Sequence, residues 1–85
     1  MAFQVIWTNR SKKDLKLIDK QTALRIIQKI NEFEKQDTVF LEKVKGTKFQ
    51  KVRVGHYRIL IEKFPATKKL FILKAEHRKK FYKNI

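Results

Sequence analysis

The chain has 85 residues, enough for one domain with a single core and too few for a deep cofactor cavity. Lys and Arg number 22 against 8 Asp and Glu, and the formal charge of +14 favours a polyanionic partner over a neutral one. Without cysteine, disulfides and thiolate zinc sites are excluded, and no apolar run approaches the roughly 20 residues that span a bilayer.

Other features of the sequence narrow the class of protein further. His56 and His77 lack the spacing of metal ligands, and the start of the chain does not resemble a signal peptide. We therefore expect one domain over residues 1–85, cytoplasmic, with no metal, cofactor or membrane partner. The alternative explanation of the charge is a set of solvated lysines with no dedicated partner.

The N-terminal half predicts a strand and two helices. Residues 3–8 are apolar on both sides of the alternation, which indicates a strand buried on both faces or lying under helices. Ser11 and Asp14 resemble a capping box at the start of a first helix, and Asp19 is placed to cap a second. The second helix has an apolar stripe at helical spacing, formed by Ala23, Ile26, Ile27, Ile30 and Phe33.

The C-terminal half predicts strands. Residues 36–48 form a polar connection with Phe40, Leu41 and Val44 as anchors, and Gly46 ends it at a turn. Strands over 49–54 and 57–64 flank the pair Gly55-His56, which is typical of a type II′ hairpin. A strand over 70–76 and a basic tail over 77–85, starting as a helical turn, complete the chain.

These elements predict an α+β fold of two layers. The N-terminal strand and a two-helix hairpin pack on a mainly antiparallel sheet, in the order β-α-α-β-β-β. The helices cover one face of this sheet, and we expect the other face to be open to solvent.

The hairpin register predicts what lines the open face. A two-residue loop sets Val54 opposite Tyr57 and Arg53 opposite Arg58, and facing residues project to the same side. Lys51, Arg53 and Arg58 then share the open face, where facing arginines repel by a few tenths to about 1 kcal/mol. A phosphate held between them reverses that sign. The alternative is solvated charge, with one arginine neutralised by a glutamate: Glu62 or Glu76.

The end of the chain returns to the same place. A last strand beside residues 57–64 brings His77 and Arg78 toward Arg58, and a helical turn puts Arg78 and Tyr82 on one face. The candidate site is therefore a cluster of basic and phenolic groups with one imidazole: Lys51, Arg53, Arg58, Arg78, Tyr82 and His77. His77 equally suits a strand-end hydrogen bond, and Tyr82 equally suits packing of the tail. Tyr57 and Trp7 are predicted in the core and His56 in the turn.

These residues carry a family resemblance. The segment KVRVGHYRILIE from Lys51 to Glu62, followed by His77-Arg78-Lys79 and Tyr82, resembles the RelE/ParE toxin superfamily. Its members have an Arg-x-Gly-x-Tyr-Arg hairpin and a His-Arg-Lys-x-x-Tyr ending, and the resemblance extends over nearly the whole chain. The sequence departs from the pattern in having His56, Ile61 and Lys80 where relatives have acidic, aromatic and acidic residues.

The resemblance implies a toxin of a type II toxin–antitoxin system that cuts mRNA on the ribosome without metal. It also implies a cognate antitoxin, and it maps the family's site residues onto the six named above. RNA supplies its own nucleophile, the 2′-OH, so the enzyme needs a base, charge stabilisation and an acid. The base can be Lys51, Tyr82 or His77, and the sequence does not decide among them. Our working hypothesis is that Lys51 is the base and that Arg78 or His77 is the acid.

Two other functions stay open at this stage. A gyrase-inhibiting member of the same superfamily has the same fold and hairpin without nuclease activity. A non-catalytic nucleic-acid-binding module fits the charge but leaves the facing arginines unexplained.

Overall fold

The computed structural model describes residues 2–36 and 39–83. None of the helices in these two stretches is long and apolar enough to cross a membrane. The elements follow in chain order: β1 Gln4–Trp7, α1 Asn9–Leu17, α2 Lys20–Asn31, a 3-10 turn Glu32–Lys35, β2 Glu42–Lys43, β3 Gln50–Val54, β4 Tyr57–Phe64, β5 Lys69–His77 and α3 Arg78–Lys83.

The strands form one sheet in the order β1-β5-β4-β3-β2. β1 runs parallel to β5, and the other neighbours are antiparallel, so the predicted mainly antiparallel α+β fold is confirmed. The sequence left two alternatives for the first strand, burial on both faces or a position under the helices, and the first is wrong because its four residues are exposed or only partly buried. β1 lies at an edge of the sheet. Val5 and Trp7 are only partly buried, although both pack against the core.

The first helix begins earlier than the sequence indicated. Thr8 caps α1: its Oγ1 accepts a hydrogen bond from the backbone N–H of Ser11 at 3.3 Å. The Thr8 hydroxyl also donates to the Ile72 carbonyl at 2.7 Å, which ties the start of the helix to β5. Ser11 is therefore inside the helix and buried, and the predicted Ser11 capping box was wrong.

The second helix follows its prediction. Asp19 caps α2 by accepting from the backbone N–H of Thr22 at 3.0 Å. The apolar stripe faces the sheet, and four of its five members are buried: Ala23, Ile26 and Ile30 on α2, and Phe33 on the 3-10 turn that follows it. They meet the helix-facing side chains of the hairpin, Val52, Val54, Ile59 and Ile61, to form the main core.

The hairpin has the predicted register and turn. Val54 pairs with Tyr57, Arg53 with Arg58, Val52 with Ile59 and Lys51 with Leu60. Gly55 has φ 57°, while His56 is not among the described residues with positive φ. A positive φ at the first loop position alone is the requirement of a type II′ turn.

The connection before the hairpin differs from its prediction in two ways. It contains β2, a two-residue strand that pairs antiparallel with Lys51 and Gln50 of β3. Phe40 is 88% exposed and anchors nothing, whereas Val39 and Val44 are buried. The prediction of Phe40 as an anchor was therefore wrong. Residues 37 and 38 of this connection lie outside the described residues.

The face of the sheet opposite the helices is partly covered, which corrects the expectation of a fully open face. α3 lays Phe81 against Leu60 and Val44, with Phe49 and Leu73 beside them, and Phe81 is fully buried. The short helix thus has an apolar side on the sheet and a polar side beside the hairpin arginines. Residues 84 and 85 of the predicted tail lie outside the described residues.

Candidate active site

Two arginines face each other on this second side of the sheet, as the register predicted. The side chain of Arg53 is 64% exposed, whereas Arg58 is buried at 7% exposure. Arg58 Nη1 donates to the carbonyls of Gly55 at 3.1 Å and Tyr57 at 3.0 Å. One guanidinium is therefore fixed against the turn, and its partner is free to meet a ligand.

A lysine and a tyrosine lie close together beside these arginines. Lys51 Nζ donates to the Tyr82 hydroxyl at 2.6 Å and lies 4.6 Å from the centre of the Tyr82 ring. The pKa of the Tyr82 phenol is lowered from its ordinary value, first by this hydrogen bond and then by Arg58. Both donors favour the phenolate because each places positive charge at the oxygen. We call the surface formed by Lys51, Arg53, Arg58 and Tyr82 the basic face.

Arg78 lies at the edge of the basic face, where its backbone N–H contacts the hairpin turn. As the first residue of α3, it donates its N–H to the His56 carbonyl at 2.8 Å, which pins the helix start to the hairpin turn. Its side chain is exposed. Arg78 and Tyr82 are four residues apart on α3 and so lie on the same side of the helix, as predicted.

His77 lies away from the basic face. It pairs with Tyr57 across β4 and β5, and their rings are edge to face with centroids 5.7 Å apart. The His56 ring stacks on it at 6.0 Å. Because Tyr57 packs against the main core, His77 is on the helix side of the sheet. The structure brings five of the six candidates to one end of the sheet surface and places the imidazole on the other side.

A β-bulge causes this placement. Ile61 pairs with Ile72 and Leu60 with Lys74, so Leu73 has no partner on β4. The extra residue shifts the alternation of β5, and Ala75 and His77 take the helix side in place of Lys74 and Glu76. Lys74 then projects toward α3, where its Nζ lies 5.5 Å from the Phe81 ring centre.

The glutamates expected to neutralise the arginines are engaged elsewhere. Glu76 pairs with Arg58 in the register, yet its carboxylate meets Lys74 at 2.9 Å and Arg10 at 3.0 Å. It also lies 3.9 Å from Lys80, one of the positions that depart from the family pattern. Glu62 pairs with Lys48 at 3.2 Å. In the described part of the chain, neither Glu62 nor Glu76 forms an ion pair with Arg53 or Arg58.

Glu42 also lies at the basic face, although nothing in the sequence pointed to it. Its carboxylate oxygens lie 3.9 Å from Lys51 Nζ and 3.9 Å from an Arg53 nitrogen. Glu42 sits on β2, whose two polar residues show no alternation from which a strand could be recognised. Its 3.9 Å contacts are long for ion pairs, so the basic face stays strongly cationic.

The chemistry available on the basic face follows from these groups. Guanidinium and ammonium donors bind phosphate oxygens and stabilise negative charge that develops on them. A phenol with a lowered pKa, hydrogen-bonded to an ammonium, can accept or return a proton near neutral pH more readily than an ordinary tyrosine. Among the described residues there is no group of three or more His, Cys, Asp or Glu able to hold a metal ion.

Comparison with known proteins places the chain in a family. The family model for the ParE toxin of type II toxin–antitoxin systems matches residues 5–82. The chain belongs to this family, within the RelE/ParE superfamily of type II toxins. None of the curated proteins matches the chain by sequence.

Solved structures of RelE toxins have the same fold. A RelB–RelE complex from Methanococcus jannaschii is 27% identical, with a TM-score of 0.76 over 94% of this chain and 98% of the other. A RelE–RelB complex from Pyrococcus horikoshii is 24% identical, with a TM-score of 0.70 over 92% and 97%. A free Escherichia coli RelE mutant is 16% identical, with a TM-score of 0.75 over 94% and 87%, and supports the fold alone.

Proposed function

We propose that this toxin is an endoribonuclease that cuts mRNA on the ribosome by way of the RNA 2′-OH. The single observation that supports this most is the Lys51–Tyr82 hydrogen bond of 2.6 Å beside the Arg53–Arg58 pair. A binding site for phosphate needs only the cations. The phenol with a lowered pKa adds a proton-transfer group, which a purely binding surface does not require.

The proposed reaction begins with the scissile phosphate between Arg53 and Arg58. The sequence-based hypothesis had Lys51 as the base; we propose Tyr82 instead, because Lys51 donates a hydrogen bond to the Tyr82 oxygen and favours its phenolate form. The Tyr82 oxygen takes the proton from the 2′-OH, and the 2′ oxygen attacks the adjacent phosphorus. Arg58 is held rigid by the turn carbonyls, so its guanidinium is preorganised for the charge that grows on the phosphoryl oxygens.

The departing group completes the reaction. The bond from phosphorus to the 5′ oxygen breaks, Arg78 stabilises that oxygen by hydrogen bonding, and water at the exposed face supplies its proton. Tyr82 returns the proton that it took from the 2′-OH to the hydroxide that remains, which regenerates the phenolate. The products are a 2′,3′-cyclic phosphate and a free 5′-OH. DNA has no 2′-OH and is spared. His77 has no direct part in this scheme, since its ring is on the helix side of the sheet.

The proposed partners follow from the charge and from the relatives. The structures from Methanococcus jannaschii and Pyrococcus horikoshii are complexes of RelE with RelB. We infer a cognate antitoxin whose acidic or amphipathic segment covers the basic face and neutralises part of the +14 charge. The ribosome and mRNA are the target, which places the activity in the cytoplasm.

Two observations favour a second function. The family model that matches is that of ParE, and the imidazole is turned away from the basic face. Both fit a toxin that inhibits DNA gyrase and cuts no RNA. The Lys51–Tyr82 pair is what this second function leaves unused.

One experiment separates the two functions. Ribosomes programmed with a defined mRNA are incubated with the protein in EDTA, and supercoiled DNA is incubated with gyrase and the protein in parallel. Cut mRNA with unaffected gyrase is the expected result. Inhibited gyrase with intact mRNA would establish the second function, and no effect in either reaction would leave only nucleic-acid binding.

A further inference from the structure

A second cationic surface lies beside the basic face, in a groove between α2 and the hairpin. The groove has a volume of about 380 Å³, and its lining residues include Arg25 and Lys29 of α2, Glu32 of the 3-10 turn that follows α2, and Arg53 and Gly55 of the hairpin. At about 30 Å³ per water molecule, this space holds roughly a dozen waters, enough for a phosphate group and its attached sugar. We call it the helix–hairpin groove.

The positive charges in the groove are poorly compensated. Arg25 and Lys29 form no side-chain hydrogen bond or ion pair with any residue in the described stretches. The contact of Arg53 with Glu42 is long, at 3.9 Å. Glu32 is the acidic residue that lines the groove, against three cations. Like charges gathered around one cavity repel each other. All three side chains are exposed, so the packing of the core does not require a cation at any of these positions.

The backbone at the hairpin end leaves room for a ligand. Within residues 2–36 and 39–83, β2 pairs with β3 only at Gln50 and Lys51, so no described strand pairs with the outer edge of β3 at Arg53. Gly55 has no side chain, and a Cβ there would lie 4.0 Å from Arg25 Nη1. Arg25 therefore sits close to the turn that also fixes Arg58, and Arg53 borders the groove as well as facing Arg58.

We propose that the helix–hairpin groove binds the sugar–phosphate backbone of the RNA strand next to the cleavage position. This rests on the proposed function, because Arg53 links the groove to the basic face around the outer edge of β3. The groove takes a phosphodiester through Arg25 and Lys29 without contacting bases, so it adds affinity and no sequence preference. A peptide occupant is disfavoured because the groove offers Val54 as its apolar contact and little else for an amphipathic helix.

The test measures binding alone. A short fluorescent single-stranded 2′-O-methyl RNA, which has no free 2′-OH to react, is titrated with the parent and with the double variant Arg25→Ala, Lys29→Ala. The matched control is Lys12→Ala, Lys16→Ala, which removes the same charge from exposed positions on α1. Circular dichroism melting checks that each variant is folded.

The expected result has two parts. The groove variant binds about tenfold more weakly, and the slope of log K against log salt falls by about 1.4, since each cation on a single strand contributes about 0.7. The control stays within about twofold of the parent with the same slope, because its charges lie away from the strand. Equal losses in both variants, or no loss in the groove variant, would overturn the proposal.

Two further probes identify other occupants. If the groove variant keeps its RNA affinity and loses affinity for a polyglutamate peptide, the groove is a peptide site and the proposal is wrong. If it keeps its RNA affinity and loses a saturable response to inorganic phosphate, the groove is a small-anion site and the proposal is also wrong.

The binding test of the groove and the cleavage test of the proposed function can give independent results. A parent that cuts no mRNA on ribosomes, together with a groove variant that loses RNA affinity, contradicts the proposed function and supports the groove. Cut mRNA together with an unchanged groove variant contradicts the groove alone.

Discussion

Arg53 and Arg58 are direct neighbours across β3 and β4 on one side of the sheet, yet their environments are opposite. Arg58 is buried and donates to two turn carbonyls, whereas Arg53 is exposed. The same residue type in facing positions therefore has two roles. Arg58 stabilises the hairpin turn through its two hydrogen bonds, and in the proposed function it presents a fixed charge while Arg53 completes the phosphate site when the ligand binds.

Substitution of the two arginines should have different effects on the free energy of unfolding. Arg58→Ala leaves two turn carbonyls without their donor and is expected to lower the free energy of unfolding by about 1–3 kcal/mol. Arg53→Ala removes repulsion at an exposed position and should leave stability unchanged or raise it by a few tenths of a kcal/mol. Urea denaturation of both variants measures this. Equal destabilisation by the two substitutions would contradict the assigned roles.

Tyr82 should titrate below an ordinary tyrosine. The hydrogen bond from Lys51 and the charge of Arg58 favour the phenolate, so its pKa is lowered from the reference value of about 10. An absorbance titration near 295 nm should show this early transition in the parent, and Tyr82→Phe should remove it. Lys51→Met should move it to higher pH. An early transition that persists in Tyr82→Phe would show that it does not arise from Tyr82 and would remove the argument for proton transfer by this residue.

Substitutions of His77 and of Tyr82 should have different effects on the rate of mRNA cleavage. Because the His77 ring lies on the helix side of the sheet, His77→Gln should leave mRNA cleavage on programmed ribosomes within about threefold of the parent. Tyr82→Phe keeps the ring that packs beside Phe81 and should lower the rate by about a hundredfold, the size of a general-base contribution. The reverse ranking would return the imidazole to the active site.

Asp14 should hold the C-terminal end of β5 in place. Its Oδ2 accepts from the backbone N–H of Ala75 at 3.0 Å, and it also pairs with Arg10 at 3.0 Å. Asp14→Ala leaves that N–H without a partner and should lower the free energy of unfolding by about 1–3 kcal/mol. Asp14→Asn keeps an oxygen acceptor and should cost less. Chemical denaturation compares the pair, and identical losses would show that the oxygen at this position is not what matters.

The sequence was most informative where local rules act alone. Gly55 in a two-residue loop is enough to set the hairpin register, so the facing of Arg53 and Arg58 could be predicted. The stripe on α2 and the cap at Asp19 are also local, and both are confirmed.

The sequence was not sufficient where one extra residue shifts the alternation of a strand, or where a tertiary contact decides which residue caps a helix or is buried. The unpaired Leu73 shifts the alternation of β5, and nothing in the sequence marks that bulge, so the side taken by His77 could not be read. Thr8 caps α1 because its hydroxyl also bonds Ile72 O on the sheet, a contact distant in sequence. The burial of Phe81 depends on Val44 and Leu60, which the chain brings together only in three dimensions.

The role of the RNA 2′-OH can be tested by removing a single oxygen atom from the substrate. Ribosomes are programmed with an mRNA that carries one 2′-deoxynucleotide on the 5′ side of the mapped cut, and with a second mRNA deoxy-substituted one position away. If the basic face activates the 2′-OH, the first mRNA stays intact, the second is cut, and the products end in a 2′,3′-cyclic phosphate. Cleavage of the first mRNA at the parental rate would contradict the account.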